Sequence, residues 1–169
     1  MTKRLILMRH AKSGWEDPSL DDHDRMLTER GHRASDAIGG WLAQHGYVPD
    51  VLLSSSSQRT RQTWQGLAPH LGAVAVEFLP QLYLASPGEM LAVLQKRSEN
   101  CVMILAHNPG TAALAVGLAQ RAASHPKFRQ YPSAATTVLD FEIDNWSDIQ
   151  PSSGVLSDFV VPRELKSAR

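Results

Sequence analysis

The chain has 169 residues, 43% hydrophobic and 20% charged, a balance that fits one globular domain over 1–169 and excludes a disordered or fibrous chain. Seventeen Lys and Arg residues offset seventeen Asp and Glu, so the formal net charge is zero, which weighs against a general nucleic-acid binder. The lone cysteine, Cys101, excludes an intramolecular disulfide framework, and the first apolar run ends at Arg9, too short for a signal-peptide core or a membrane span. The expectation is a cytoplasmic domain without membrane or nucleic-acid partners.

Apolar runs of strand length alternate with stretches of helical period. Residues 4–8 (RLILM) read as a buried strand. The polar stretch 11–27, with Gly14 and Pro18, reads as a surface loop. Thr28 is suited to cap a helix running to about residue 45, with Ala34, Ile38, Trp41 and Leu42 on one face and Gly46 as its stop. A second strand is predicted over 51–54, followed by a helix over 57–68 that Pro69 and Gly72 end. Residues 74–78 read as a third strand. In Ser86-Pro87-Gly88-Glu89, Ser86 caps the next helix, Pro87 suits its first turn and Glu89 completes a capping box. The run CVMILA, 101–106, has the continuous apolar character of a central strand covered on both faces. A helix over 111–122 and strands over 136–143 and 155–161 follow. The alternation predicts a three-layer α/β/α sandwich around a mostly parallel sheet, with hairpin-like strands late in the chain.

Ligands of open α/β sheets bind beyond the carboxyl ends of the strands. Three predicted strand ends carry Arg9-His10, the run 54–59 (SSSSQR) and His107-Asn108. With parallel strands, Arg9, His10, Arg59 and His107 share one rim. That set suits a phosphoryl group, because arginine forks match its oxygens and a neutral imidazole can attack phosphorus. Phosphoryl transfer asks a protein mainly for positioning and charge compensation. No Walker A loop is present, and His23, His32, His45, His70 and His125 lack metal-ligand spacing, so neither a metal nor a cofactor is expected. Lys12 and Ser13 are candidates to line the entrance. Ser54, Ser55, Ser56 and Ser57 read as turn and capping residues, since no G-x-S-x-G elbow surrounds them. The charged run Asp21, Asp22, Asp24 and Arg25 reads as solvated loop, from which a carboxylate could reach the pocket as a proton donor. The tryptophans read as core or rim packing, and Cys101 as an inert buried thiol.

The segments LILMRHAKSGW, SSSSQRTRQT and ILAHNPG resemble the histidine phosphatase (phosphoglycerate mutase-like) superfamily. RHAKSGW, DHDRMLTERG, QLYLASPGEML and the short length resemble its SixA-type phosphohistidine phosphatase branch. The similarity spans about 3–110 and continues more weakly beyond. It implies that His10 is the nucleophile, that Arg9 and Arg59 bind phosphate oxygens, and that His107 stabilises the phosphoryl group from across the pocket, with Arg61 pointing elsewhere. The implied activity is metal-independent hydrolysis of phosphohistidine on another protein, such as a phosphorelay domain. A small phosphomonoester substrate and a phosphoryl-binding module without turnover are the alternatives. Relatives acting on esters usually carry RHG, an Asn six residues after the nucleophile and a proton-donating Glu. Here Ala11 follows His10, Glu16 takes the Asn position, and QLYLAS offers no carboxylate. A protonated imidazole leaving group needs no strong acid, so these departures favour a phosphoramidate.

Overall fold

The structure, a computed structural model, describes residues 1–165. Its strands are β1 (Thr2–Arg9), β2 (Val51–Ser55), β3 (Ala75–Leu79), β4 (Cys101–Ala106), β5 (Thr136–Glu142) and β6 (Val155–Val160). They form one six-stranded sheet in the order β3-β2-β4-β1-β5-β6. The first four in that order run parallel, and β5 and β6 are antiparallel additions on the β1 side. This is the three-layer, mostly parallel architecture read from the sequence.

Strand alternation explains the layers. Leu5 and Leu7 of β1 pack on one side of the sheet with Leu53, Ile104, Met90 and Leu114, whereas Ile6 and Met8 pack on the other with Leu52, Leu105, Ile38 and Leu67. Helices α1 (Glu29–Gln44) and α2 (Gln58–Leu71) cover the second face, and α3 (Pro87–Gln95) and α4 (Gly110–Leu118) the first. β1 and β4 are therefore buried from both sides, which is why their sequences are continuously apolar.

The local signals hold at the helix starts. Thr28 Oγ1 accepts from Gly31 N, Ser57 Oγ accepts from Thr60 N, and Ser86 with Glu89 forms the expected capping box. The ends of α2 and α4 differ most from expectation. α2 continues through Pro69 to Leu71 and stops at Gly72, with φ +70°. Proline in a last turn forfeits one donor and does not by itself end the helix. α4 stops at Leu118 because the chain turns aside to pair with the loop before β6: Gln120 N donates to Gly154 O at 2.7 Å and Gly154 N to Leu118 O at 2.8 Å.

Close backbone approach fixes where α1 begins. A Cβ on Gly31 would stand 2.1 Å from the carbonyl oxygen of Lys12, so the helix rests directly on the segment that follows β1. No helix among the described residues is long and apolar enough to cross a membrane.

Candidate active site

β1 and β4 end in step, with Arg9 opposite Ala106, so His10 and His107 leave the sheet side by side. The backbone N–H of His10 donates to Ala106 O at 3.0 Å, carrying the register one residue further. Arg59 arrives from the first turn of α2, just beyond the end of neighbouring β2. The two imidazole centroids are 5.2 Å apart, and the rings are tilted by 56°. The four residues expected to share a rim thus stand together.

Hydrogen bonds define the tautomers. His10 Nδ1 lies 2.7 Å from Ala11 O, an oxygen that can only accept, so Nδ1 carries the proton and Nε2 keeps its lone pair. Arg59 Nη2 donates to His107 Nδ1 at 3.3 Å. His107 therefore carries its proton on Nε2, which donates to Ser55 Oγ at 2.8 Å. Burial pushes His10 down to about 3; the hydrogen bond to Ala11 opposes this, while the charges of Arg59, Arg9 and Arg25 reinforce it. His107 is also pushed down to about 3, first by burial and then by neighbouring His10 and Arg59. Both rings are neutral at physiological pH.

The arginines are held without being saturated. Arg59 is 2% exposed, and its Nη1 donates to Asp22 O at 2.6 Å and its Nη2 to Asp22 Oδ2 at 3.1 Å. Arg9 Nη1 donates to Tyr131 O at 3.1 Å. Burial lowers the Arg9 pKa, and the positive charge of Arg59 lowers it further, an effect that requires proximity. The Nε–H groups of Arg9 and Arg59 are both buried and find no acceptor among the described residues. A buried guanidinium donor left unpaired by protein is costly, and two at one site match what an oxyanion would satisfy.

The loop after β1 contributes more than expected. Asp22 accepts from Arg59, from Tyr83 Oη and, at 3.1 Å, from Arg25 Nε. Burial raises the Asp22 pKa, but the hydrogen bonds from Tyr83 and Arg59 outweigh it and bring the carboxyl to about 2. Asp22, its side chain still 40% exposed, is thus anchored to Arg59 and Tyr83 rather than simply solvated, and its depressed pKa weighs against a proton-donor role. Arg25 has little side-chain exposure, and its guanidinium stands 3.7 Å over the Trp15 ring. Tyr83, in the segment expected to lack an acid, presents its ring edge-on to His107 at 5.4 Å.

Other candidates are placed elsewhere. Arg61 Nε donates to Ser56 O at 2.9 Å and its guanidinium lies over Phe78, away from the histidines as expected. Ser13 pairs with Leu27 across the loop through its backbone, and exposed Lys12 lines a groove beside the pocket. Ser57 caps α2, but Ser55 is more than a turn residue because it orients His107. Cys101 is half-buried at the start of β4, with its thiol pushed up to about 11 by burial and then Asp50. Trp146 is fully buried, whereas Trp15 is exposed beside Arg25.

Comparison with known proteins agrees with this geometry. Residues 5–90 match the model of the histidine phosphatase superfamily (branch 1), and the chain belongs to that family. An uncharacterised protein of Mycobacterium tuberculosis is 34% identical over 164 residues, covering 92% of this chain and 100% of the relative. A solved structure from Nakamurella multipartitia, provisionally named phosphohistidine phosphatase SixA, superposes with TM-score 0.83 at 28% identity, covering 96% of this chain and 97% of that one. Another provisionally named SixA, from Agrobacterium tumefaciens, superposes with TM-score 0.78 at 26% identity over 95% of this chain and 98% of its own. These likenesses identify the SixA-type branch.

Proposed function

We propose that this protein is a phosphohistidine phosphatase that works through a phosphorylated His10. The observation carrying the proposal is a buried neutral imidazole, fixed by its Nδ1–H to Ala11 O at 2.7 Å, beside two guanidinium groups whose Nε donors lack a protein acceptor. His10 Nε2 attacks phosphorus in line with the leaving group. The new N–P bond forms as the substrate N–P bond breaks, and the bonding pair leaves on the substrate imidazole nitrogen. The Ala11 carbonyl supports the positive charge that the His10 ring gains. Arg9 and Arg59 offset the charge on the phosphoryl oxygens, with His107 completing the enclosure. Water then attacks phospho-His10, giving phosphate and returning the ring to neutrality.

A nitrogen leaving group fits the proton inventory. The carboxyl nearest the pocket, Asp22, is brought to about 2 and is therefore ionised, and Tyr83 already donates its hydroxyl proton to it. A substrate imidazole protonated on its far nitrogen leaves as a neutral molecule and needs no acid from the enzyme. The test compares turnover of a phosphohistidine peptide with turnover of aryl and aliphatic phosphate esters, with trapping of an acid-labile, base-stable adduct on His10. Preference for the peptide together with the adduct supports the proposal. Preference for aliphatic esters, or no adduct and no turnover, overturns it.

A further inference from the structure

Although the whole chain carries no net charge, its cations are not evenly spread. A groove of about 670 Å³ is lined by Lys12, Arg30, Arg33, Lys127 and Arg163, over a floor that includes buried Ala34 and Val161, and none of the described residues lining it is acidic. The carboxylates near Arg33 and Lys127 do little to cancel the charge of those two residues. Glu29 reaches Arg33 only at 3.9 Å on an exposed helix face, and Glu164 is engaged by His125 at 2.9 Å. Lys127 Nζ donates to the neutral amide oxygen of Gln130 at 3.2 Å.

The groove adjoins the phosphoryl pocket through the covalent chain. Lys12 follows His10 by two residues, and its carbonyl accepts from Thr28 N at 2.9 Å, tying the N-terminus of α1 to that segment. On the other side, lining residues Pro132 and Ser133 lie between Tyr131, whose carbonyl holds Arg9, and Ala134, whose N–H donates to His10 O at 2.9 Å. None of the four pocket residues lines the groove, so it is a distinct surface beside the nucleophile.

We propose that this groove receives a glutamate- and aspartate-rich segment of the protein that carries the phosphohistidine. The inference rests on the proposed function, because a side chain that reaches buried His10 must bring its carrier against the surrounding rim. Arg30 and Arg33, one turn apart on α1, and Lys127, from the segment before β5, are all exposed, unlike Arg9 and Arg59, whose Nε groups are buried. Such an arrangement attracts several spaced carboxylates through its summed field, which suits an acidic peptide better than one small anion.

The test uses two synthetic phosphohistidine peptides, identical except that one carries five glutamates and the other five glutamines, with phosphoramidate as a substrate too small to span the groove. For the wild-type protein at low salt, kcat/KM for the glutamate peptide should exceed that for the glutamine peptide by about tenfold. The advantage should vanish in 0.5 M salt and in the triple variant Arg30→Gln, Arg33→Gln, Lys127→Gln, whose turnover of phosphoramidate and thermal midpoint stay at wild-type values. An equal kcat/KM for both peptides, or an advantage that survives the triple substitution, overturns the groove assignment. If phosphoramidate is turned over and neither peptide is, the phosphohistidine-protein reading fails. Anisotropy titration with the unphosphorylated glutamate peptide then decides the groove separately: salt-sensitive binding lost in the triple variant sustains it, and no binding ends it. Binding of inorganic tripolyphosphate without binding of the glutamate peptide also overturns it, marking a small-anion site.

Discussion

Mild acid should destabilise this protein steeply, and two buried imidazoles should account for most of the effect. A histidine in an unfolded chain titrates near 6.5, whereas His10 and His107 are each pushed down to about 3. Below 6.5 the unfolded chain binds protons that the folded rings refuse, so stability falls as pH falls. The penalty is absent above neutrality, grows between 6.5 and 3, and stops growing below 3. At pH 4.5, two units below the unfolded pKa, the cost is about 2.5–3 kcal/mol per ring and about 5 for the pair. That rivals the whole stability of a small domain, about 5–15 kcal/mol. Asp22 does not blur the window, because its pKa is depressed to about 2 from 3.8: its contribution is present above 3.8 and is lost only as pH falls towards 2. The assay is urea unfolding from pH 8 to pH 4.5 for the wild type and for the double variant His10→Gln, His107→Gln. The variant's stability should fall about 5 kcal/mol less across this range, since the remaining titrating groups are common to both proteins. Parallel curves would refute the claim that the rings are buried and neutral.

Three further outcomes follow from the same geometry. His10→Ala should abolish turnover and the phosphoenzyme adduct while the protein melts as one cooperative transition, because the residue lies just past the end of β1; residual turnover near wild type would remove His10 as nucleophile. Arg59→Ala should lower kcat/KM by about 10²–10³ and weaken inhibition by inorganic phosphate, read from steady-state kinetics, since it removes a preorganised buried donor set. Gly31→Ala should cost about 1–3 kcal/mol in urea unfolding, because its Cβ would meet the Lys12 carbonyl oxygen at 2.1 Å and backbone has to move; an unchanged midpoint would contradict that close approach.

Much of the fold was legible because its signals are local. The apolar runs of β1 and β4, the caps at Thr28, Ser57 and Ser86, and the strand ends bearing Arg9-His10 and His107 all sit within a few residues of the feature they specify. The premature end of α4 was not legible, since Ala119 leaves the helix to meet Gly154, a partner remote in sequence. The role of Asp22 in holding Arg59 is illegible for the same reason. Its partners are Arg59 and Tyr83, 37 and 61 residues away, and no periodicity in 21–25 announces them. Ser55 could be placed at a strand end but not assigned to His107, which lies on the neighbouring strand's extension, 52 residues on. Lys12, two residues past the nucleophile, lines the adjoining groove, whose boundaries depend on residues 127–133 and 161–163 and are not announced by the sequence around it.

The protonation states also limit the chemistry that the pocket can perform. His107 spends its proton on Ser55 and its lone pair on Arg59, so it can act as a neutral dipole without also serving as an acid. Asp22 is anionic and orients Arg59 through two contacts, the backbone carbonyl at 2.6 Å and the carboxylate at 3.1 Å. Tyr83 is a protonated group beside His107, and its hydroxyl is turned to Asp22 while burial, and then Asp22 itself, raises its pKa. Giving that proton to an alkoxide would break the hydrogen bond that helps keep Asp22 in place against Arg59. An alkoxide leaving without a proton is far too basic to depart readily at neutral pH, whereas an imidazole protonated on its distal nitrogen departs as a stable neutral base. On the proposed reading, the network that holds Arg59 also leaves Asp22 without a proton for an ester leaving group, so turnover of aliphatic phosphate esters should fall well below that of a phosphohistidine peptide.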